Sequence, residues 1–381
     1  MPLSGTDALL AGLVALVITA LLTPLSAVFA RMVGAVDEPR DRGLAVRPTP
    51  RLGGLAIFAG AFTAAAIWLP GREPWTAVLV AMGVITIVGA IDDIVELPAW
   101  AKLLGQVAAA WIVVYQGVTV DVFTAPFLGS VSLGAWGDPI TVLGLVLVMN
   151  AVNFSDGADG LAAGVCAIAA GSFAFIAFDV GQRSAATLSA IVAGAALGFL
   201  VHNFPPAKVF MGDVGSNLLG LLLGTIAVLG TVKTSAVVGL IAPLVILAVP
   251  FLDTTFVVLK RMKYRQPVYA ADANHFHHRF SRIGFSSRRT ILYLYAWTLM
   301  LGGAAVALRF VPYSDNHGHW HLGWSVLMGA ILLAAIAASV YLVYVLEILK
   351  FRRLARLRGS SDPAVDAAVP EADERLDELL L

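Results

Sequence analysis

Long apolar runs separated by short polar segments make up most of the chain. A helix needs about 20 apolar residues to cross the hydrocarbon of a bilayer, and about eleven runs approach that length. They are 8–30, 52–70, 75–91, 103–120, 139–155, 161–179, 186–204, 214–231, 236–259, 291–310 and 322–349. The pattern predicts an all-α, polytopic integral membrane protein with about 11 transmembrane helices.

Composition supports this interpretation and excludes others. The 381 residues are 59% hydrophobic and 13% charged, and the mean hydropathy of +0.85 lies outside the range of soluble domains. The formal net charge is zero, so nothing suggests a nucleic-acid partner, and membrane lipids are the expected surroundings. The single cysteine, Cys166, excludes an intrachain disulfide.

The distribution of Lys and Arg among the loops predicts the orientation, because cation-rich loops face the cytoplasm. Most cations fall in one set of alternate loops, chiefly in the segments 31–51, 260–289 and 350–358. The other set contains only Arg72, Arg183, Lys233 and Arg309. We therefore expect the N-terminus outside and the C-terminus in the cytoplasm. Residues 1–350 should form the membrane domain, and residues 351–381 a basic and then acidic disordered tail.

Several separate segments bring polar side chains to the predicted cytoplasmic side. They contain Asp37, the pair Asp92–Asp93, the run NAVNFSDGADGLAAG at 150–164, Asp213, and the histidines His275, His277 and His278. A transporter would instead concentrate ionisable groups near the bilayer midplane, on broken helices. The pattern favours a single site that faces the cytosol.

Asp92 and Asp93, in GAIDDIVELPAW, are predicted to end a helix. Adjacent side chains on a helix point about 100° apart, so the two carboxylates should have different roles. One can bind a cation or hold a Lys while the other acts as a base. The structural alternative is a solvated helix end, although acidic groups there oppose the helix dipole.

In the run at 150–164, four oxygen-bearing side chains follow one another at intervals of three residues: Asn150, Asn153, Asp156 and Asp159. This spacing places them on one side of a helix that ends in a glycine turn. Carboxylate and amide oxygens suit a hard cation such as Mg²⁺. A polar turn between two helices is the alternative.

Asp213 lies in NFPPAKVFMGDVGSN, where Pro205 and Pro206 prevent a continuous helix. Its carboxylate and Asn153 can bind the same metal ion, with substrate phosphates and water as the remaining ligands. This is the usual arrangement for Mg²⁺. Alternatively, Asp213 or Ser216 caps the following helix.

The run HFHHRF places His275, His277 and His278 beside Arg279. Imidazole and guanidinium groups together can donate hydrogen bonds to a diphosphate, the interpretation that we favour. The alternatives are a structural loop and a zinc site, but zinc ligands usually include Cys or Glu or have wider spacing.

Membrane spans, an oxygen-rich site and cationic phosphate binders together indicate phosphoryl transfer that involves a membrane lipid. Five motifs then carry a resemblance: PTPRLGG, DDIVELPAWAKLLGQ, NAVNFSDGADGLAAG, NFPPAKVFMGDVGSN and HFHHRF. With these motifs in this order, residues 8 to 350 closely resemble the polyprenyl-phosphate N-acetylhexosamine-1-phosphate transferases of the MraY/WecA superfamily.

The resemblance implies that polyprenyl phosphate attacks a UDP-N-acetylhexosamine and gives a lipid diphospho-sugar and UMP. The reaction is direct or passes through an enzyme-bound intermediate, and the implied cofactor is Mg²⁺, with Mn²⁺ as an alternative. By motif position, Asp213 resembles the principal metal ligand, with Asn153 and Asn150 close by. Asp92 resembles the group that orients or deprotonates the lipid phosphate, and Asp93 resembles its partner.

The resemblance also implies a set of substrate-contacting residues. These are Asp156, Asp159 and Asn203 for the nucleotide or sugar, Lys102 for the lipid phosphate, and His275, His277, His278 and Arg279 for the diphosphate or sugar.

Within the superfamily, VDEP at Val36 and the form HFHHRF resemble the N-acetylglucosamine-1-phosphate branch. This implies an enzyme of the inner (plasma) membrane that initiates a cell-wall or surface polysaccharide, with its active site facing the cytoplasm and a homodimer as a candidate assembly. The alternatives are the same chemistry on UDP-MurNAc-pentapeptide and a lipid or sugar-phosphate transporter. Glu96, Gly43 and Ala45 depart from the common pattern, so no role is assigned to Asp37.

Overall fold

A computed structural model describes most of the membrane domain. The described residues are 3–38, 48–125, 129–232, 245–248, 251–252, 255, 286–311, 321–331, 333–335 and 337–339. Most of the predicted span 236–259, the residues His275, His277, His278 and Arg279, and the predicted tail at 351–381 lie outside them.

The described chain is almost entirely helical. Its helices are α1 (Gly5–Met32), α2 (Gly54–Trp68), α3 (Trp75–Val95), α4 (Ala99–Tyr115), α5 (Gly137–Ser155), α6 (Leu161–Asp179), α7 (Arg183–Asn203), α8 (Gly212–Ala227), α9 (Ser287–Phe310) and α10 (Leu322–Ser339). A 3-10 turn, Gly134–Trp136, precedes α5, and a π-helical turn, Val228–Val232, follows α8.

Eight helices in the described part of the chain are long and apolar enough to cross a membrane. The shorter apolar helices α2 and α4 complete the bundle. The predicted all-α, polytopic membrane architecture is therefore confirmed. The run predicted at 103–120 differs in its bounds, because α4 begins after Pro98 and the chain turns away at Gly117, whose φ is 89°.

Two short antiparallel hairpins interrupt the helices, and the hydrophobic pattern predicted neither. Strand β1 (Val36–Asp37) pairs with β2 (Thr49–Pro50), and β3 (Val122–Ala125) pairs with β4 (Gly129–Ser132). Strands of two to four residues are too short to show a periodic pattern in sequence.

Glycines allow α1 and α7 to pack with their backbones in contact. A Cβ atom added at Gly194 would lie 1.9 Å from the carbonyl oxygen of Gly12, and one added at Gly198 would lie 2.3 Å from that of Leu16. Small residues at intervals of four commonly bring membrane helices this close. This contact fixes the relative position of the first helix and the α7–α8 pair that carries the site.

Helix α8 occupies the centre of the bundle. In the most apolar stretch of Gly212–Gly230, 89% of the residues are buried, against 33% in that of α1 and 39% in that of α3. The outer faces of α1 and α4 instead expose large apolar side chains such as Leu21 and Leu104. Apolar side chains on these outer faces are compatible with lipid. Because α8 lies at the centre, the polar residues at its start lie in the middle of one end of the bundle.

Candidate active site

Short connections bring the ends of many helices together at one end of the bundle. Helices α3, α5 and α7 end there, and α4, α6 and α8 begin there after loops of a few residues. The start of α9 joins them, because Arg288 Nε donates a hydrogen bond to the carbonyl oxygen of Pro205 at 2.9 Å. Of the motifs predicted to converge on one face, those within the described residues lie together at this end, while HFHHRF lies outside them.

Lys102, in the first turn of α4, lies at the centre of this end. Its Nζ is 3.2 Å from Asp92 Oδ2 and 3.4 Å from Asn153 Oδ1, and it also contacts Asp213 Oδ2. The side chains of Lys102 and Asp92 are 20% and 11% exposed. A single ammonium group therefore offsets the charges of two carboxylates in a partly water-free site.

Asn153 connects α5 to α8 beside this lysine. Its Nδ2 donates to Asp213 Oδ1 at 2.6 Å and to Ser216 Oγ at 2.9 Å. These two bonds turn the Asn153 carbonyl oxygen toward Lys102. The predicted proximity of Asn153 and Asp213 is observed directly, although 60 residues separate them in sequence.

Asp93 binds the start of α8 rather than the lysine. Its two carboxylate oxygens accept hydrogen bonds from the backbone N–H groups of Asp213, at 3.0 Å, and Val214, at 3.2 Å. Asp93 is only 6% exposed. A carboxylate in this position satisfies unpaired amides of the first helical turn and interacts favourably with the helix dipole.

Glycines make this capping contact possible. Gly212 has a φ of 66°, and a Cβ atom there would lie 2.2 Å from Asp93 Oδ2. A Cβ atom at Gly89, one turn before Asp93, would lie 2.6 Å from Val214 Cα. The motif FMGDVGS thus requires glycine where α8 meets α3.

The PTPRLGG segment lies alongside the same loop. Phe210 N donates to the carbonyl oxygen of Pro50 at 2.8 Å, and Gly53 N and Gly54 N donate to the carbonyl oxygens of Phe210 and Met211, both at 2.9 Å. Backbone pairing of this kind fixes the start of α2 against the start of α8. Arg51 projects from this segment, with Nη2 3.8 Å from Glu96 Oε1.

Two predicted substrate-contacting residues brace the loops at this end. Asn203 is 2% exposed; its Oδ1 accepts from Gly160 N and its Nδ2 donates to the carbonyl oxygen of Val209, both at 2.8 Å. Asp159 Oδ2 accepts from Ala207 N at 2.8 Å. These contacts hold the loop between α5 and α6 against the loop between α7 and α8.

Asp156 follows the last residue of α5 and is half-buried. Burial raises the pKa of its carboxyl well above the usual range, and the neighbouring carboxylates of Asp93 and Asp159 raise it further. Asp156 therefore holds a proton more readily than an ordinary aspartate.

The oxygen atoms around Lys102 also suit a divalent cation. Three oxygens from three helices already surround one positive charge, and Mg²⁺ commonly uses one or two carboxylates together with substrate phosphates and water. Within the part of the chain that the structure describes, no group of three or more His, Cys, Asp or Glu side chains forms an all-protein cage. The donor set fits an ion that is shared with substrate.

Two residues at this end were missed by the sequence reasoning. Gln106 and Asn217 are each 1% exposed and hydrogen-bonded to each other at 2.7 Å. Each follows a site residue by four positions, Lys102 and Asp213 respectively. That spacing places them on the same helix faces and is the signal that could have found them. Asn150, predicted as a metal ligand, lies at this deeper level and pairs with Gln106.

Comparison with known proteins identifies the family of this chain. The family profile described as glycosyl transferase family 4 matches residues 75–231, which run from α3 through the π-helical turn. The chain is 38% identical over 301 residues to a probable undecaprenyl-phosphate N-acetylglucosaminyl 1-phosphate transferase of Bacillus subtilis (strain 168), covering 78% of this chain and 84% of that protein.

Two further relatives extend the comparison. A decaprenyl-phosphate N-acetylglucosaminephosphotransferase of Mycobacterium tuberculosis (strain ATCC 25618 / H37Rv) is 36% identical over 368 residues, 88% of this chain and 89% of that protein. A phospho-N-acetylmuramoyl-pentapeptide-transferase of Moorella thermoacetica is 31% identical over 317 residues, 77% of this chain and 96% of that protein. With identities of this size over most of both chains, the protein belongs to glycosyl transferase family 4, within the MraY/WecA superfamily.

Proposed function

We propose that this protein transfers N-acetylglucosamine-1-phosphate from UDP-N-acetylglucosamine to a polyprenyl phosphate, giving polyprenyl-diphospho-N-acetylglucosamine and UMP. The observation that carries the proposal is the convergence of Asp92, Asn153 and Asp213 on Lys102 at one end of a membrane bundle. The relatives named for N-acetylglucosamine are 36–38% identical over 78–88% of this chain, and they support this sugar over the muramoyl-pentapeptide, for which the Moorella thermoacetica transferase is 31% identical over 77% of the chain.

The reaction forms one P–O bond and breaks another. An oxygen of the lipid phosphate bonds to the sugar-bearing phosphorus, and the bridging oxygen leaves with UMP. Phosphoryl transfer of this kind depends mainly on positioning and on compensation of negative charge. A site at the end of the bundle lets the lipid phosphate reach the nucleotide while the polyprenyl chain of the lipid stays in the bilayer.

Lys102 and Asp92 are the pair that we assign to the lipid phosphate. Lys102 can exchange one carboxylate partner for a phosphate oxygen, because its ammonium group has three donors and contacts three oxygens already. Asp92 Oδ2, 3.2 Å from that ammonium, is then next to the phosphate and can orient it or accept its proton.

Asp213 and Asn153 are the residues that we assign to Mg²⁺. Their oxygen atoms face the same position, and Ser216 fixes the Asn153 amide so that its carbonyl oxygen points there. When bound, the ion compensates the charge of the diphosphate and of departing UMP. Asn150 stays outside this set, because its amide pairs with Gln106.

The half-buried Asp156, with Asp159, is assigned to the nucleotide-sugar side of the site. Burial and the neighbouring carboxylates raise the pKa of Asp156, which shifts its carboxyl toward the protonated form that can donate a hydrogen bond. His275, His277, His278 and Arg279 remain assigned to the diphosphate or sugar from their motif alone. We place the site on the cytoplasmic face of the inner membrane, where the Lys- and Arg-rich loops are predicted.

The test is a radiolabel assay with the purified full-length protein. UDP-N-acetylglucosamine and polyprenyl phosphate should give a labelled lipid and an equal amount of UMP, and only with Mg²⁺ or Mn²⁺ present. UDP-MurNAc-pentapeptide should give no more than a trace of lipid product. Turnover with UDP-MurNAc-pentapeptide and none with UDP-N-acetylglucosamine would assign the other transferase reaction. Movement of label across a vesicle membrane without release of UMP would assign transport.

A further inference from the structure

Three amide side chains form a layer directly beneath Lys102 and the side chains of Asp92, Asn153 and Asp213 that contact it, a group that we call the lysine cluster. We call Gln106, Asn150 and Asn217 the amide layer. Gln106 and Asn217 are 1% exposed and Asn150 is half-buried. Amides at this depth among apolar helices are costly unless their hydrogen bonds are made, so their presence calls for an explanation.

The contacts within the amide layer form one connected network. Gln106 Nε2 donates to Asn217 Oδ1 at 2.7 Å and lies 3.5 Å from Asn150 Oδ1, while Gln106 Oε1 accepts from Asn150 Nδ2 at 2.8 Å. Asn217 Nδ2 donates to the carbonyl oxygen of Asp213 at 2.8 Å, and Asn150 Nδ2 also donates to that of Val146 at 2.9 Å. Helices α4, α5 and α8 are thereby joined.

The amide layer repeats the lysine cluster helix by helix. Gln106 lies four residues after Lys102 on α4, Asn217 lies four after Asp213 on α8, and Asn150 lies three before Asn153 on α5. Residues three or four apart share a helix face. Each member of the amide layer is therefore one turn below its counterpart in the lysine cluster.

Directional bonds in the deeper layer determine the geometry of the upper one. A rotation of α4 or α8 that separated Lys102 from Asp213 would also separate Gln106 from Asn217, leaving buried amide groups without partners. Lys102 cannot impose this geometry by itself, because its four-carbon side chain is flexible.

We propose that Gln106, Asn150 and Asn217 are positioning residues that hold Lys102, Asn153 and Asp213 in register for phosphoryl transfer. The inference rests on the proposed function for its kinetic consequence. The geometry of the lysine cluster, however, is measurable without turnover.

The first variant is Gln106→Met, which removes the central amide and leaves Asn150 and Asn217 without their shared partner. We expect kcat to fall by about 10- to 100-fold, the range typical of residues that orient a site from behind, with KM changed much less. The melting temperature in detergent should also fall, because two amides lose partners in a buried position.

The second variant separates positioning from stability. In Gln106→Met/Asn150→Leu/Asn217→Leu, each Asn is replaced by a Leu of equal heavy-atom count, so no buried amide remains unpaired. We expect the melting temperature to return toward that of wild type, since removal of all partners can be neutral, while kcat stays low. A layer that only stabilised the fold would regain kcat together with the melting temperature.

A third readout does not depend on activity. Acetylation of Lys102 by acetic anhydride, without metal or substrate and quantified by peptide mass spectrometry, reports how firmly the carboxylates hold the ammonium group. Acetylation should be several-fold faster in both variants than in wild type. Thr225→Val is the matched control. It removes a buried hydroxyl from α8 about three helical turns after Asp213, and it should leave Lys102 reactivity and kcat unchanged.

The outcomes separate this inference from the proposed function. A triple variant with wild-type kcat and wild-type Lys102 acetylation would overturn the positioning role. A triple variant that cannot be purified folded would also contradict it, because the layer would then be required for folding. If wild type released no UMP, the proposed function would fail, and Lys102 acetylation would still decide whether the layer sets the cluster.

Discussion

At the residue scale, the site is a balance between one ammonium group and two carboxylates. Lys102 contacts Asp92 and Asp213, while Asn153 completes the group with a carbonyl oxygen. The two carboxylates share one ammonium partner in a partly buried site, so removal of any one charge alters the electrostatic balance of the other two. Mutations here should affect chemistry far more than insertion into the membrane.

Asp213→Asn should lower kcat by about 100-fold or more, because it removes a charge that both the lysine and the divalent ion require. Release of UMP from UDP-N-acetylglucosamine is the measurement. Asp121→Asn, on the connection after α4 at the opposite end of the bundle, is the matched control and should retain wild-type activity. Normal turnover in Asp213→Asn would refute the metal assignment.

The adjacent aspartates should respond differently to the same substitution. In Asp93→Asn, an amide NH₂ would face the backbone N–H of Asp213 or Val214, and the loss of a buried acceptor costs about 1–3 kcal/mol. In Asp92→Asn, the side-chain oxygen that remains can still accept the hydrogen bond that Leu97 N donates to Asp92 Oδ1 at 2.7 Å in the wild type. The melting temperature in detergent should therefore fall more for Asp93→Asn, and equal values would contradict a capping role.

At the element scale, the close approach of helix backbones fixes the site. Gly54 lies against Gly215, Gly89 against Val214, and Gly194 against Gly12, each at a distance that a Cβ atom would not allow. Outside the lysine cluster and the amide layer, shape at these glycines specifies which helices pair.

Gly194→Ala should destabilise the protein, because the added methyl group would lie 1.9 Å from the carbonyl oxygen of Gly12 and force α1 away from α7. Overpacking of this kind costs about 1–3 kcal/mol. Gly144→Ala on α5 is the matched control, since nothing lies within 4 Å of an added Cβ there. Thermal unfolding in detergent should show a lowered melting temperature for Gly194→Ala alone; a similar loss in both variants would point to a general effect of the methyl group.

Sequence predicted the helices well and their polar contacts less well. The apolar run at 161–179 coincides with α6, because a membrane helix satisfies its own backbone and needs only local length and hydrophobicity. Asn203 and Asp93, by contrast, were assigned from their motifs, and the structure shows both bound to backbone groups of other segments. Nothing local in the sequence distinguishes a side chain that meets substrate from one that braces a loop.

At the scale of the whole molecule, the alternation of helix direction collects the motifs at one end. Every second connection, between α3 and α4, α5 and α6, and α7 and α8, lies at the end with Lys102, and the hairpin of β3 and β4 lies at the other. The predicted orientation places the Lys102 end in the cytoplasm.

Accessibility labelling tests this orientation. In a Cys166→Ala background, which removes the single buried cysteine, Glu96→Cys should react with a membrane-impermeant maleimide only after cells are opened. Glu96 is suitable because its side chain is 72% exposed at the Lys102 end. Asp121→Cys, exposed at the opposite end, should react in intact cells and serves as the control. The reverse pattern would place the site outside and contradict the use of a cytosolic nucleotide-sugar.

The sequence by itself determined that the chain is a helical membrane protein and that Asp92, Asn153 and Asp213 share one end of it. Both results follow from local quantities: the length of each apolar run and the position of polar groups at its ends. Only the tertiary structure decided which polar groups pair, as in the bond between Gln106 and Asn217 across 111 residues of chain. Such pairs depend on how neighbouring helices rotate and approach one another, which close packing at glycines determines and the periodicity of a single helix does not.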